Sequence, residues 1–259
     1  GTFYFVADDW DGPYHRPDSF LVVGAEKGAP GPWCAHTFAR GEDRVLYHHM
    51  TGSRAALAAP KKVRRRPNGT LFLEYMPLLQ GLEREVLIGA SDPLPSATTS
   101  DWGEWDQSGG RIVGKATNVG SSCKVMRELG DLHLSCRVQL SSARGAGIAL
   151  RVSNSSGVCM FLDRDRDLIS VGSASYRPYY GWAELPGGDT AAAVIESEKE
   201  YLLRCFCRDE HFEFYLDDRW MAALALDQAP SAGALELFVE RGSASFSDIR
   251  IAALEPFPG

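Results

Sequence analysis

Nine consecutive residues, Leu132-His133-Leu134-Ser135-Cys136-Arg137-Val138-Gln139-Leu140, carry an apolar side chain at every even position and a polar one at every odd position. Successive side chains alternate across a β-strand, so such a segment buries one face and wets the other. It cannot form the three-and-four-spaced apolar stripe of an amphipathic helix. Elsewhere, short apolar runs sit between clusters of Gly, Pro, Asn and Asp, the pattern of strands and turns. Only Ser53–Ala59 and Tyr75–Glu85 suggest helix, and both also read as loops.

The opening segment, 1–80, reads as four strands, Thr2–Ala7, Ser19–Val23, Ala35–Arg40 and Arg44–Met50, divided by turn signals such as Asp11-Gly12-Pro13 and Gly41-Glu42-Asp43. Four short antiparallel strands make one blade of a β-propeller. A closing hairpin follows, Lys61–Arg65 and Thr70–Tyr75 around Asn68-Gly69, a dipeptide suited to a tight turn. On this reading the basic run Lys61-Lys62-Val63-Arg64-Arg65-Arg66 is the solvated face of a hairpin strand. Residues 81–110, rich in Ser, Thr, Asp and Gly, read as a connector. From 111 to 259 strands recur, with a long loop expected from Ser173 to about Ala193, and about ten such strands are accommodated by two stacked antiparallel sheets. The expected fold is therefore all-β: propeller-type blade(s) followed by a two-sheet antiparallel β-sandwich of concanavalin-like form.

The chain has 259 residues, of which 44% are hydrophobic and 24% charged, enough for a sizeable core. A net charge of −7 argues against a nucleic-acid surface, and no 18-residue apolar run points to a membrane span. The opening Gly1-Thr2-Phe3-Tyr4-Phe5-Val6 reads as a strand already under way, so the chain is expected to begin inside a larger architecture. The six cysteines show no CxxC spacing, so they read as buried thiols and no metal is expected. The sequons Asn68-Gly69-Thr70 and Asn154-Ser155-Ser156 fit an extracellular or secretory location and leave a cytoplasmic one open.

Two stretches carry a resemblance. The first is Phe3-Tyr4-Phe5-Val6-Ala7-Asp8, Gly12-Pro13-Tyr14-His15-Arg16-Pro17, the Trp33–Arg40 strand and Val45-Leu46-Tyr47-His48-His49, continued by Leu57-Ala58-Ala59-Pro60-Lys61-Lys62-Val63, Gly69-Thr70-Leu71 and Tyr75-Met76-Pro77. It resembles a late propeller blade of glycoside hydrolase families 32, 43 and 68. The second, Tyr201–Asp209 with Phe212–Arg219, resembles the sandwich hairpin of family 32, and Ser245–Ile251 fits a closing sandwich strand. The resemblance implies the C-terminal part of a glycosidase acting on β-fructosides or related glycosides. It also marks a departure: the Arg-Asp-Pro and Glu-Cys motifs of family 32 are absent. A retaining glycosidase needs two carboxyl groups about 5 Å apart on a rigid frame, which one blade cannot supply. No catalytic residue and no cofactor is therefore expected within these residues, and a separate N-terminal propeller chain or second subunit is the expected partner beside the carbohydrate. The other reading is a non-catalytic carbohydrate-binding or interaction module.

His15, Arg16 and Asp18 combine polar groups beside Tyr14, which suits the rim of a sugar pocket, though Pro13 and Pro17 equally fix a surface turn. His36 reads as a pocket-lining group or as a core histidine. His48 and His49, being consecutive, face opposite sides of their strand. Asp101–Asp106 offers two Trp and three carboxylates, more in keeping with Trp packing against the propeller than with a carboxylate site. Asp163-Arg164-Asp165-Arg166-Asp167 reads as a solvated hairpin end, lacking the Gly and distal Glu of a calcium loop. Tyr176–Trp182 is an aromatic run fit either to stack on a sugar or to dock on a partner domain.

Overall fold

In the computed structural model, the residues described are 2–17, 21–23, 32–50, 56–92, 98–99, 103–177, 181–184, 188–227 and 229–255. The first elements are β1 (Thr2–Phe3), β2 (Leu21–Val23), β3 (Pro32–Arg40), β4 (Asp43–Met50), β5 (Ala56–Leu57), β6 (Lys61–Arg65) and β7 (Leu71–Glu74). A single 3-10 turn, Pro77–Leu82, leads to β8 (Glu83–Ile88), β9 (Thr98–Thr99), β10 (Gly103–Ser108) and the 19-residue β11 (Arg111–Leu129). There follow β12 (Leu132–Leu140), β13 (Gly145–Ser153), β14 (Ser156–Asp163), β15 (Leu168–Arg177), β16 (Gly181–Glu184) and β17 (Asp189–Ala192). The chain closes with β18 (Glu200–Arg208), β19 (His211–Leu216), β20 (Arg219–Ala225) and the 22-residue β21 (Gly233–Leu254).

Every strand pairing among the described residues is antiparallel, and β11 and β21 organise the sandwich. The first half of β21 pairs with β13 and with the end of β11, and β14 and β15 continue outward as the front sheet. Its second half pairs with β12, with β8 and with the start of β11; β18, β19 and β20 complete the back sheet. Both long strands change sheet at irregularities: the register slips between Ala116 and Gly120, and Arg241 and Gly242 take φ of 45° and 112°. Bulges of this kind let one strand turn the corner of a sandwich. The apolar face switches at each corner: Ile112 and Ala116 face the core before it in β11 and Val125 and Leu129 after it, and in β21 Leu235, Leu237 and Val239 give way to Ala244 and Phe246.

The even residues of β12 line the inter-sheet core, as the alternation requires: Leu132, Leu134, Cys136, Val138 and Leu140 are fully buried among Ile148, Leu150, Met160, Phe212, Leu237 and Ile251. Arg151 lies buried at the sandwich edge. It donates to the carbonyls of Gly130, Asp209 and Pro230 and to Asp131 Oδ1, so one cation ties three chain reversals together. Each of its bonds replaces hydration lost on burial.

The N-terminal region departs from the expected blade. β1 and β2 pair with each other as a separate ribbon, and the four-stranded meander is instead β3-β4-β6-β7. The hairpin expected to follow the first four strands supplies the last two strands of this meander, because β6 finds its partner in β4. Asn68-Gly69 makes the turn: Gly69 has φ of 87°, and Asn68 Oδ1 accepts from Thr70 N and Oγ1. The ribbon is fastened by Ala35 N donating to Thr2 Oγ1 and Leu71 N donating to Tyr4 Oη. The Tyr75–Glu85 stretch forms the short 3-10 turn, and Ala56–Leu57 is strand. Residues 81–110, read as a connector, carry β8 and β10, which join the back sheet. The expected loop from Ser173 carries the end of β15 together with β16 and β17.

The meander packs on the outer face of the back sheet. Val45, Tyr75, Met76 and Leu79 meet Phe206, Tyr215 and Leu254, while Met50 and Ala58 meet Ala223 and Ala225. At this seam the basic run is not wholly solvated: Lys61 is fully buried. Its Nζ lies 2.5 Å from Glu213 Oε2 and donates to Ala59 O, while Glu213 also accepts from Ala59 N and Tyr215 Oη. Sequence periodicity could not show this, because the acceptor lies 152 residues further along the chain (213 − 61).

Candidate functional site

The front sheet's outer face is built from the odd residues of β13 and β14, the even residues of β15 and the matching even residues of β21. Gly145, Gly147 and Gly172 leave room there. A Cβ on Gly145 would come within 2.2 Å of Phe161 Cζ and 2.6 Å of Leu162 O; Gly172, at φ of 143°, has Gly188 Cα 2.4 Å from its Cβ position. Into this space Phe161 and Phe238 stack, with ring centroids 5.6 Å apart. The result is a pocket of about 290 Å³ with an aromatic wall, lined also by Cys159, Ser170 and Val171.

Its polar end is organised by Arg144. NH2 donates to Asp163 Oδ2 at 2.9 Å, NH1 to Glu240 Oε2 at 3.3 Å, and Nε lies 3.7 Å from Asp165 Oδ2. Asp163 is 1% exposed and also accepts from Arg166 N, closing the β14–β15 turn. The alternating charges 163–167 do form a hairpin end, but their first member is a buried pocket residue and not a solvated one. Burial pushes the Glu240 carboxyl up to about 7; Arg144 opposes the rise, Asp163 adds to it and Arg241 opposes it. Burial likewise raises the Cys159 thiol, with Glu236 adding to it, so this thiol is not a nucleophile at neutral pH. Ser170 Oγ is buried in the pocket without a protein partner. Fixed carboxylate acceptors, a guanidinium, an unpaired hydroxyl and an aromatic wall together suit a compact, hydroxyl-rich ligand.

The sequence-derived candidates lie elsewhere. His15 forms a backbone bridge with Val6, and His15 and Arg16 are exposed. Beside them a hollow of about 410 Å³ is lined by Phe5, Asp8, Asp9, Trp10, Tyr14 and Arg65. Asp18 lies outside the described residues. His36 is exposed on β3, which removes the core reading; it stacks on Tyr47 at 5.5 Å and meets His49 edge-on at 5.9 Å. Phe38 continues this row, 6.2 Å from Tyr47. His48 and His49 do face opposite sides, His48 buried and His49 exposed; burial drives the His48 imidazole down to about 2, with Lys61 adding to the shift.

Trp105 packs on the sandwich core and not on the meander, its Nε1 donating to Ser121 Oγ; Glu104 pairs with Lys115 at the surface, and Asp101 and Trp102 lie outside the described residues. Tyr176 and Trp182 stand opposite each other in the β15–β16 hairpin, and 178–180 lies outside the described residues. Five cysteines are buried and Cys34 is exposed, all as free thiols. Among the described residues, no group of three or more His, Cys, Asp or Glu could hold a metal ion, and no helix is long and apolar enough to cross a membrane.

Arg144, Asp163, Ser170, Glu240 and the Phe161–Phe238 pair were missed as a site. The signals present were the charge alternation at 163–167 and carboxylates at even positions of a strand whose odd positions are apolar, Glu236 and Glu240 against Leu235, Leu237 and Val239.

No protein-family model matches the chain, and no curated protein matches it. Solved structures do share its fold. Carbohydrate binding module CBM66 from Bacillus subtilis aligns at a TM-score of 0.53 and 19% identity, over 62% of this chain and 97% of that one. Exo-inulinase from Aspergillus awamori aligns at 0.61 and 16%, over 99% of this chain and 50% of that one. A glycoside hydrolase family 32 structure from Bifidobacterium adolescentis aligns at 0.51 and 14%, over 87% of this chain and 32% of that one. The chain thus has the all-β sandwich fold found in carbohydrate-binding modules and family 32 glycosidases, as its resemblance to family 32 implied. It spans half the length of the exo-inulinase and less of the Bifidobacterium enzyme.

Proposed function

We propose that this chain is the C-terminal portion of a glycosidase acting on β-fructosides or related glycosides, and that its sandwich holds a sugar in the Arg144–Asp163–Glu240 pocket. The observation that carries this reading is the pocket itself, in which buried carboxylates, a guanidinium and the unpartnered Ser170 hydroxyl converge beside an aromatic wall. Phe161 and Phe238 offer a sugar its apolar face, while the carboxylates accept its hydroxyls.

In this proposal the catalytic carboxylates sit on an N-terminal propeller portion, and β3-β4-β6-β7 is a blade completed by its neighbours. The row of exposed Phe38, His36 and His49 around half-buried Tyr47 supports this, since it would otherwise leave aromatic rings in water. His15, Arg16, Asp18 and His36 are then assigned to the propeller-side sugar rim. A secretory location is part of the same proposal, with Asn154 exposed in its turn as a glycan acceptor.

A non-catalytic binding module is the second reading, favoured by the coverage of nearly all of CBM66. Titration calorimetry of the chain with short fructans tests the pocket. Binding that weakens about a hundredfold in Arg144→Ala supports it, a loss in the range of a truncated hydrogen-bonded charge. Absence of binding, or binding indifferent to Arg144, sinks it. Hydrolysis of a fructan by this chain alone would instead overturn the assignment of the catalytic carboxylates elsewhere.

A further inference from the structure

The Arg144 guanidinium already faces a carboxylate on each of its three sides. NH2, NH1 and Nε each point to a different carboxylate: Asp163 at 2.9 Å, Glu240 at 3.3 Å and Asp165 at 3.7 Å. The second cation of the pocket lining, Arg166, leans its Nε to the same Asp163 at 3.8 Å. Arg241, at the sheet corner, acts on Glu240 from outside the lining. Two of these three carboxylates are almost fully buried, with side chains 1% and 8% exposed. They cannot swing out into water to release the arginine without leaving the pocket wall.

A ligand entering this space meets carboxylate oxygens with lone pairs to spare and a guanidinium whose charge those carboxylates already balance. Hydroxyl groups satisfy such a wall, because they donate to carboxylates. A phosphate cannot donate in its dianionic form. It would have to compete with Asp163 and Glu240 for Arg144 and would be placed against both of them in a site that excludes much of the water. At about 290 Å³ the space lies at the lower bound of small-molecule pockets, so a single ring fills it and the substituents of that ring meet the wall.

We propose that Asp163 and Glu240, by occupying Arg144, make this pocket selective for neutral sugars over phosphorylated ones. The inference rests on the sugar-binding reading above and adds the class of sugar admitted.

Calorimetry on the intact chain at pH 8 with fructose, fructose 1-phosphate and fructose 6-phosphate tests it. The expected result is binding of fructose with each phosphate weaker by about tenfold or more, the scale of a like-charge juxtaposition. Glu240→Gln and Asp163→Asn, each checked for a native circular dichroism spectrum, remove one negative charge from beside Arg144 and should narrow that ratio by about threefold or more. Phosphosugars that bind as tightly as fructose overturn the selectivity while leaving the pocket a sugar site. An unchanged ratio in both variants overturns its assignment to the two carboxylates. No binding of any of the three probes removes the sugar-binding reading and this inference together.

Discussion

The two outer faces of the sandwich bury charge in opposite ways. On the back sheet, Lys61 with Glu213 and His133 with Glu83 and Arg250 lie beneath the meander and the β8 strand. Arg250 grips Glu83 through both nitrogens, at 2.7 and 2.5 Å, and His133 Nδ1 shares Glu83 Oε1 at 2.7 Å. On the front sheet, Arg144 and its carboxylates border open space. Both faces carry buried acids, so burial of charge alone does not mark a site. The difference is what surrounds them: a protein layer that uses the lone pairs, or a cavity that leaves some for a ligand.

Electrostatics follow the same division. Burial acts to raise the Glu83 carboxyl, but hydrogen bonds from Arg250 and His133 outweigh it and hold the group below its ordinary value. At Glu240 burial wins over Arg144 and the carboxyl is raised. One acid is stabilised ionised by its neighbours, as a structural ion pair should be. The other is kept near neutrality at the mouth of a pocket, a perturbation that clusters at binding and catalytic sites.

The sharpest way to break the comparison is to open the sealed face. Lys61→Met leaves Glu213 buried and uncompensated, and should lower unfolding free energy by about 3–5 kcal/mol in a denaturant titration. Sugar affinity at the front pocket should stay the same. A loss of affinity as large as the loss of stability would mean that the two faces are not independent.

Next in size is Gly145→Ala. Its Cβ meets Phe161 and the Leu162 carbonyl, and repacking should cost about 1–3 kcal/mol. Here affinity should fall with stability, because the displaced ring is the pocket wall.

The smallest effect is in pH dependence, where the two acids should pull in opposite directions. Glu240 titrates at about 7 in the folded chain against 4.5 unfolded, so between those values the folded protein keeps a proton that the unfolded chain releases. Its contribution to stability therefore grows as pH falls from about 7 towards 4.5. Glu83, held below 4.5, contributes stability that is present above 4.5 and lost as pH falls through its folded value. Thermal melts from pH 2 to 8 should lose the near-neutral slope in Glu240→Gln and the acid-side loss in Glu83→Gln. Identical profiles in both variants would remove the electrostatic contrast.

Much of the architecture was legible in the residues. The alternation at 132–140 placed β12 on the inter-sheet core, Asn68-Gly69 placed a hairpin, and His48 and His49 were assigned to opposite faces. The opening strands were paired wrongly because β1 and β2 have strand chemistry without any local signal of their partner. The pocket was hidden for a related reason. Arg144 lies 96 residues from Glu240 and 19 from Asp163, and nothing in a linear pattern reports that their side chains meet. The loop at 15–18 drew attention instead because its polar and aromatic groups are adjacent in the chain.

Period-two alternation and turn chemistry are local properties of the backbone, so the residues alone dictate that this chain is antiparallel β and where most of its strands run. Which strands pair, which face is covered and which charge ends beside a cavity depend on contacts between residues far apart in the chain. Those contacts form only once the two sheets close on their core and the meander docks on the back sheet, which is why Lys61 is buried and Asp163 and Glu240 converge on Arg144.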